Sequence, residues 1–584
     1  MTTIVGKDAP LEASISRFRE ILKKLNIEVV EKDWLNPLPN IFSVHIAIAS
    51  CPCIYSNGKG SSKLAALASA YGELFERLAT HMEFSDYFLG LENANDKFVH
   101  FEDEKWTRIN HEDPQIPNDL LNANLRHFYC EENNVNLEDL VDLQSSSFDR
   151  GVCSLPFVNA RNGEKVYFPI NILDNLYGSN GMSAGNTEYE ALVQGLSEII
   201  ERYVKRQVIA KGISLPQIPS EIISKYPKSA QTLSLLQSND IKALCYDASL
   251  GGKFPVVCVV LINQRNGSAV ASFGSHPIFE VALDRTLTEL MQGRSFSDLD
   301  DFDEPCFDLD RTSDTVNLES HFVDSTGLLP MQMFKDIPDY KFASWDFNGS
   351  TEEQYKVLRY VITKLNFEIY IRKYLNLGVP VYRIIVPGMS EIYPLDDLIY
   401  NNLNSAIDFQ ESILYLPKSN ETTDTYANYL EELEAEDFDN STLVCKALGI
   451  LPDPNSAWES LRLGELKCLL ALVAKNWQSA LEYASWTVSY NMENFPLDKL
   501  RFYKCLIKVL EAKTNKNINE SNYAVAFANI YGLNTYQRVL LHIEGKERFN
   551  QLNSSDLNLN GFKYHQELIR LYKIIKDSQV ENKV

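Results

Sequence analysis

The sequence has none of the cysteine patterns on which disulfide-built or zinc-built proteins rest. Its ten cysteines are scattered, with one Cys-x-Cys at Cys51 and Cys53 and no Cys-x-x-Cys pair. This excludes a disulfide framework and predicts reduced thiols in a cytoplasmic protein. The nine histidines are dispersed. The one close pairing, His127 with Cys130, has no second pair beside it to complete a tetrahedral zinc site. No apolar run approaches the ~18 residues that would span a bilayer, so no membrane segment is expected. Met1–Asp8 is polar and no apolar region follows it, so no signal peptide is expected either. Basic residues are in deficit, 55 against 79 acidic, for a net charge of -24. Such a chain repels a phosphate backbone, which argues against nucleic acid as a direct partner. The common nucleotide signatures are also missing. Asn57–Ser62, NGKGSS, lacks the Gly-x-x-x-x-Gly-Lys-Ser/Thr spacing of a P-loop, and no Gly-x-Gly-x-x-Gly follows a strand.

What is present is a long globular chain. Its 584 residues allow about three to four domains by the length prior. Strand and helix patterns alternate up to about residue 395, which indicates an α/β or α+β core. Val44–Ile48, Val166–Leu173, Val256–Ile262, Ala269–Phe273, Glu368–Ile371 and Val381–Val386 read as strands. After about residue 403 the strand signals disappear. Helical runs at Trp458–Ala474, Trp477–Tyr490, Leu500–Lys513 and Tyr523–Tyr531 could pair as tetratricopeptide-like hairpins or as a non-repeat bundle. The expected division is a core over 1–400 and a helical domain over 401–584.

The most informative stretch is Ser183–Lys205, SAGNTEYEALVQGLSEIIERYVK. Thr187 followed by Glu190 reads as a capping box that starts a helix. At about 100° per residue, Glu190, Gln194, Glu198 and Glu201 fall within an arc of roughly 80°, with Arg202 at its edge. Leu192, Leu196, Ile199 and Ile200 form the opposite face. Taken alone, the polar face could be an ordinary solvated one. A second copy argues otherwise. Ser56–Leu78, SNGKGSSKLAALASAYGELFERL, also has a Ser-Asn-Gly turn, a small-residue loop and a helix ending in Glu-x-x-Glu-Arg. Glu73, Glu76 and Arg77 align with Glu198, Glu201 and Arg202, and Ser69 aligns with Gln194. A third helix places Arg285 and Glu289 one turn apart, which alone would be an ordinary i,i+4 pair.

Four carboxylates on two related helices can converge only around positive charge. Oxygen-only ligands select a hard cation such as Mg²⁺, and Mg²⁺ in such a site usually holds a phosphate. Arg77, Arg202, Arg285 and Lys7 could grip phosphate oxygens. The loop Ser183–Asn186 opens a helix, and a helix N-terminus favours anions. A di-iron bundle, the other physical arrangement, would call for Glu-x-x-His where both copies have Glu-x-x-Glu-Arg.

These three separated motifs, in this order, resemble the ATP-binding motifs of the YcaO family. Gly6-Lys7-Asp8, the loop SNGMSAGNT and the added helical region extend the resemblance over the whole chain, toward the family's bacterial housekeeping branch. The resemblance implies a YcaO-type core with duplicated strand–helix units and a tetratricopeptide-like C-terminal domain. It implies ATP and Mg²⁺ as cofactors, with ATP activating a backbone amide oxygen by phosphorylation. Motif matching makes Glu73, Glu76, Glu198 and Glu201 the Mg²⁺ ligands. Lys7, Ser14, Ser69, Arg77, Asn186, Glu190, Gln194, Arg202, Arg285 and Glu289 would contact the nucleotide. Azoline-forming members end in a proline-rich tail, whereas this chain ends KIIKDSQVENKV, which argues against azoline formation. The housekeeping branch is instead associated with β-methylthiolation of a small-subunit ribosomal protein, as accessory factor to the methylthiotransferase RimO. Two readings follow: an ATP-hydrolysing, amide-activating enzyme, or a non-catalytic ATP-binding adaptor that docks a partner through its helical domain. The helical appendage is also compatible with a homodimer.

Overall fold

The structure, a computed structural model, describes residues 1–110, 116–237, 240–295, 297–436 and 438–581. Its strands form three sheets paired antiparallel. The first has the order β1-β2-β3, from β1 (Val29–Leu38), β2 (Ile41–Ile48) and β3 (Cys51–Gly60). The central sheet begins with β4 (Lys105–Thr107), β5 (Val152–Asn159), β6 (Lys165–Pro169) and β7 (Met182–Ala184). A hairpin sheet then intervenes, formed by β8 (Ile241–Asp247), β9 (Val256–Asn263) and β10 (Ala269–Ser275). Finally β11 (Tyr370–Tyr374) and β12 (Val381–Ile385) return to the central sheet, whose order is β4-β5-β11-β12-β7 with β6 also on β5.

Four helices position the site: α1 (Leu11–Lys24), α2 (Lys63–Thr80), α3 (Glu188–Lys211) and α4 (Phe279–Leu290). The apolar faces expected of α2 and α3 are buried, including Leu74, Phe75 and Leu78 on one and Leu196, Ile199 and Ile200 on the other. The run VVCVVLIN of β9 is apolar without alternation because both its faces are covered. Val256, Cys258 and Val260 pack in the cluster with α3, while Val257, Val259 and Leu261 pack in the cluster with α4. The architecture is therefore a mixed α/β core carrying two strand–helix units, β3–α2 and β7–α3.

Beyond residue 406 the regular elements among the described residues are helices, with one isolated bridge between Leu443 and Arg462. α5 (Leu463–Val473), α6 (Trp477–Asn491), α7 (Leu497–Thr514) and α8 (Leu533–Ile543) contribute to one apolar cluster. Phe88 and Ala94, from the first part of the chain, belong to the same cluster. The last helix, α9 (Lys563–Glu581), turns back. Its Leu568, Leu571, Tyr572 and Ile575 are buried in the cluster of α1, α2 and the first sheet. Lys576 Nζ meets Asp96 at 2.7 Å, and Gln579 reaches His81 at 3.0 Å.

Local differences from the sequence reading have physical causes. The first Ser-Asn-Gly is no turn but lies inside β3. Gly58 is needed there for contact: a Cβ would lie 2.0 Å from the Ala66 carbonyl oxygen, because β3 runs directly against α2. The strand expected over Val166–Leu173 stops at Pro169, and Ile170–Tyr177 coils helically before the second Ser-Asn-Gly. The helix expected from Trp458 starts at Leu463. Trp458 precedes it as a buried anchor whose indole N–H donates to the Asn553 carbonyl at 3.0 Å.

Candidate functional site

Small-residue junctions bring the two Glu-bearing helices into play. Ser62 caps α2, its hydroxyl accepting the Ala65 N–H at 3.2 Å, and Thr187 caps α3 by accepting the Glu190 N–H at 3.2 Å. Gly185 sits where a Cβ would meet the Ala191 nitrogen at 2.5 Å, so the loop before α3 lies tight against the helix start. The expected capping box is only half present. Glu190 does not turn back to Thr187 but reaches outward to the N-terminal segment. Its carboxylate pairs with Lys7 Nζ at 3.3 Å, accepts the Asp8 N–H at 2.9 Å and accepts from Asn186 at 3.0 Å. Ser14 Oγ in turn donates to Asn186 Oδ1 at 2.7 Å. Burial alone would raise the Glu190 carboxyl, but Lys7 and these hydrogen bonds outweigh it and hold the group below its ordinary value.

The structure brings every candidate residue onto the wall of one cavity of about 1010 Å³. Lys7 and Ser14 come from the N-terminal segment and α1. Ser69, Glu73, Glu76 and Arg77 come from α2, and Asn186, Glu190, Gln194, Glu198, Glu201 and Arg202 from α3 and its leading loop. Arg285 and Glu289 come from α4.

Charge is dense and largely paired. Glu73 meets Arg77 at 2.5 Å and Glu198 meets Arg202 at 2.7 Å, the same i,i+4 pair in each copy. Arg77 also approaches Glu83 at 3.7 Å. Arg285 donates to Gln194 and lies 3.6 Å from Glu201, tying α4 to α3. Glu201 also accepts the Ser275 N–H at 3.1 Å, and Glu289 is held by Lys59 at 2.6 Å. Glu76 has no ion-pair partner among the described residues. Enclosure, then the Glu198 and Glu73 charges, push its carboxyl well above the ordinary value. Glu73 is raised by enclosure, against the pull of Arg77. Glu201 is raised by burial and by Glu289. Burial would raise Glu289 as well, but Lys59 and neighbouring cations drive it down.

Other residues on this wall carry no motif. Lys59 lies within the NGKGSS stretch that fits no P-loop. Lys205 follows Glu201 by one helical turn, a visible signal. It is buried, donates to the His321 carbonyl and to Ser325 Oγ at 3.0 Å, and desolvation lowers it to about 8. His276 has no local signal. Its Nδ1 accepts the Ile278 N–H at 3.0 Å, and burial then Arg285 lower it to about 3, so the ring is neutral with Nε2 protonated.

Comparison with known proteins bears on this arrangement. The model of the YcaO cyclodehydratase family, described as ATP- and Mg²⁺-binding, matches residues 57–390. The chain belongs to the YcaO family. The YcaO cyclodehydratase C-terminal domain matches residues 406–581. The chain is 44% identical over 572 residues to the ribosomal protein S12 methylthiotransferase accessory factor YcaO of Escherichia coli strain K12, covering 98% of this chain and 97% of that protein. It is 45% identical over 582 residues to an uncharacterized protein of Haemophilus influenzae, covering 100% and 99%. Among solved structures, the YcaO of Methanopyrus kandleri bound with AMPPCP and Mg²⁺ aligns at 19% identity with a TM-score of 0.40, over 66% of this chain and 94% of that one. A heterocyclase in complex with substrate and cofactor aligns at 17% identity with a TM-score of 0.42, over 66% and 53%.

Residues 57–390 are thus the ATP- and Mg²⁺-binding domain of a YcaO protein. The residues on the cavity wall fit these ligands in kind. Carboxylates crowd one another across α2 and α3, which a cation would relieve, and all are hard oxygen donors. The buried Arg77 Nε and Arg285 Nε have no hydrogen-bond acceptor among the described residues. Among the described residues no three metal-ligating side chains are already gathered around one point. Glu73, Glu198, Glu201 and Glu289 are instead held by neighbouring arginines and lysines, and among the described residues Glu76 is not.

Proposed function

We propose that this YcaO protein binds ATP with Mg²⁺ between α2, α3 and α4, hydrolyses it, and serves the β-methylthiolation of ribosomal protein S12 beside a RimO-type methylthiotransferase. The observation that carries the site is the convergence of three sequence-distant motifs on one cavity, with repelling carboxylates facing arginines. The partner and pathway rest on the near full-length identity to the E. coli accessory factor.

In this reading Glu73, Glu76, Glu198 and Glu201 hold Mg²⁺. Arg77, Arg202 and Arg285 hold phosphate oxygens, and Ser69, Gln194 and Glu289 complete the polar wall. Lys7, Ser14, Asn186 and Glu190 fasten the N-terminal segment along the nucleotide. ATP supplies a phosphoryl group that turns an amide oxygen into a leaving group. Arg77 and Arg202 each sit one turn from a carboxylate, so each can exchange that partner for phosphate while the carboxylate turns to the metal. The helical region, tetratricopeptide-like in the pairing of its helices, would dock the partner or a second copy in the cytoplasm.

The test is phosphate release by the full chain with ATP and Mg²⁺. Glu198→Ala and Arg202→Ala should abolish release without unfolding the protein. Tight nucleotide binding without phosphate release, with or without the partner, would support the adaptor reading instead.

A further inference from the structure

Cys51 and Cys53 are not used by the nucleotide site, yet they are placed for chemistry. Their sulfurs lie 3.2 Å apart in one hydrogen-bonded contact. The backbone causes this. In the β2–β3 ladder Ile48 pairs with Cys51 and Ala47 with Tyr55, so Pro52, Cys53 and Ile54 bulge out of register. A regular strand would put i and i+2 side chains on one face but about 7 Å apart. The bulge folds them together. The two thiols are unequal. Cys51 is buried, whereas Cys53 is half-buried. The hydrogen bond from Cys51 lowers the Cys53 thiol, burial opposing it, and the same bond raises Cys51.

We propose that Cys51 and Cys53 form a reversible dithiol–disulfide site that exchanges with small disulfides of the glutathione type. Cys53 is the attacking sulfur and Cys51 the resolving one. The Cys53 thiolate attacks one sulfur of the small disulfide. That S–S bond breaks, one small thiolate leaves and takes a proton, and a mixed disulfide remains on Cys53. The Cys51 sulfur then attacks the Cys53 sulfur and expels the second small thiolate, which leaves with the proton Cys51 gives up. The two protein thiols are oxidised to a disulfide, and one small disulfide is reduced to two thiols. Closing the pair to bonding distance needs a movement of about 1 Å, given an S–S bond of about 2.05 Å. The ring would form in β3, the strand that also carries Lys59 to Glu289 in the cavity. In a reducing compartment such a bond is transient and redox-sensing rather than structural.

The experiment equilibrates the folded full chain with glutathione buffers of increasing oxidised fraction. The reaction is quenched with an alkylating agent, and the peptide holding residues 51 and 53 is weighed. Cys306, the other cysteine that is not buried, serves as the internal control. The expected result is a peptide two hydrogens lighter and unalkylated, restored by dithiothreitol, at ratios where Cys306 carries label or glutathione. Cys51→Ser should halt at glutathione on Cys53, and Cys53→Ser should leave Cys51 reduced, alkylated once the quenched chain is denatured. The proposal is overturned if wild-type Cys53 stays alkylatable wherever Cys306 is glutathionylated, or if it stops at the mixed disulfide as in Cys51→Ser. The wild-type measurement decides the matter even if either variant folds poorly.

Discussion

Replacing Glu76 by Gln separates a ligand-binding role from a structural one, because the two predict opposite changes in stability. Glu76 faces Glu198 and Glu73 without an ion-pair partner of its own among the described residues, and its carboxyl is pushed well up. Burial, then these two charges, make its ionised form costly in the metal-free protein. Gln keeps the shape and removes the charge. Relief of one such repulsion is worth on the order of 1 kcal/mol, the usual gain from correcting an unfavourable charge. For a large domain this is a rise of about 2–4 °C in melting temperature, read in EDTA by scanning calorimetry. The same substitution removes a hard oxygen donor. Affinity for a non-hydrolysable ATP analogue in the presence of Mg²⁺ should fall at least about tenfold, or 1.4 kcal/mol, by titration calorimetry. A lower melting temperature with unchanged Mg²⁺-dependent binding would refute the reasoning and make Glu76 a packing residue.

Other perturbations follow from the same geometry. Gly58→Ala puts a Cβ into the Ala66 carbonyl, so overpacking should destabilise the chain by about 3 kcal/mol, seen as a lower urea midpoint or loss of soluble protein. Removing α9 strips Leu568, Leu571, Tyr572 and Ile575 from the first core. At about 1.5–3 kcal/mol for each buried side chain the loss is roughly 6–12 kcal/mol, so a chain ending before residue 563 should be insoluble or molten rather than an independent nucleotide-binding core. Buried His100 and Asp142 meet at 3.2 Å. Burial opposes charging of both, yet their pairing raises His100 and lowers Asp142. The pair's stability is therefore complete above the ordinary Asp value and below the ordinary His value, and fades as pH rises through the raised His100 value. Asp142→Asn should lower the melting temperature most at about pH 5–6, with a smaller deficit near pH 9.

The site was more legible in the sequence than the fold around it. Helical period alone puts Glu73, Glu76 and Arg77 on one face, and duplication of the spacing around Glu198 marked that face as paired. Those inferences need only local geometry. Lys59 and His276 reach the same cavity through strand pairing and loop packing over long sequence distances, which no local period encodes. β1 escaped notice because its outer positions are charged and Asn36 and Pro37 interrupt it. The first Ser-Asn-Gly looked like a turn because small polar residues usually mark one. Here the glycine answers to the closeness of α2 instead. The return of α9 was equally hidden, since its apolar face fits either core by composition.

In the proposed site ATP and Mg²⁺ lie between the two Glu-x-x-Glu-Arg helices. A crystal structure of the full chain with an ATP analogue and Mg²⁺ tests it most directly. Metal density should lie against Glu73, Glu76, Glu198 and Glu201, with the phosphates against Arg77, Arg202 and Arg285. Phosphates bound away from α2 and α3, with the Glu73–Arg77 and Glu198–Arg202 pairs still closed, would contradict it.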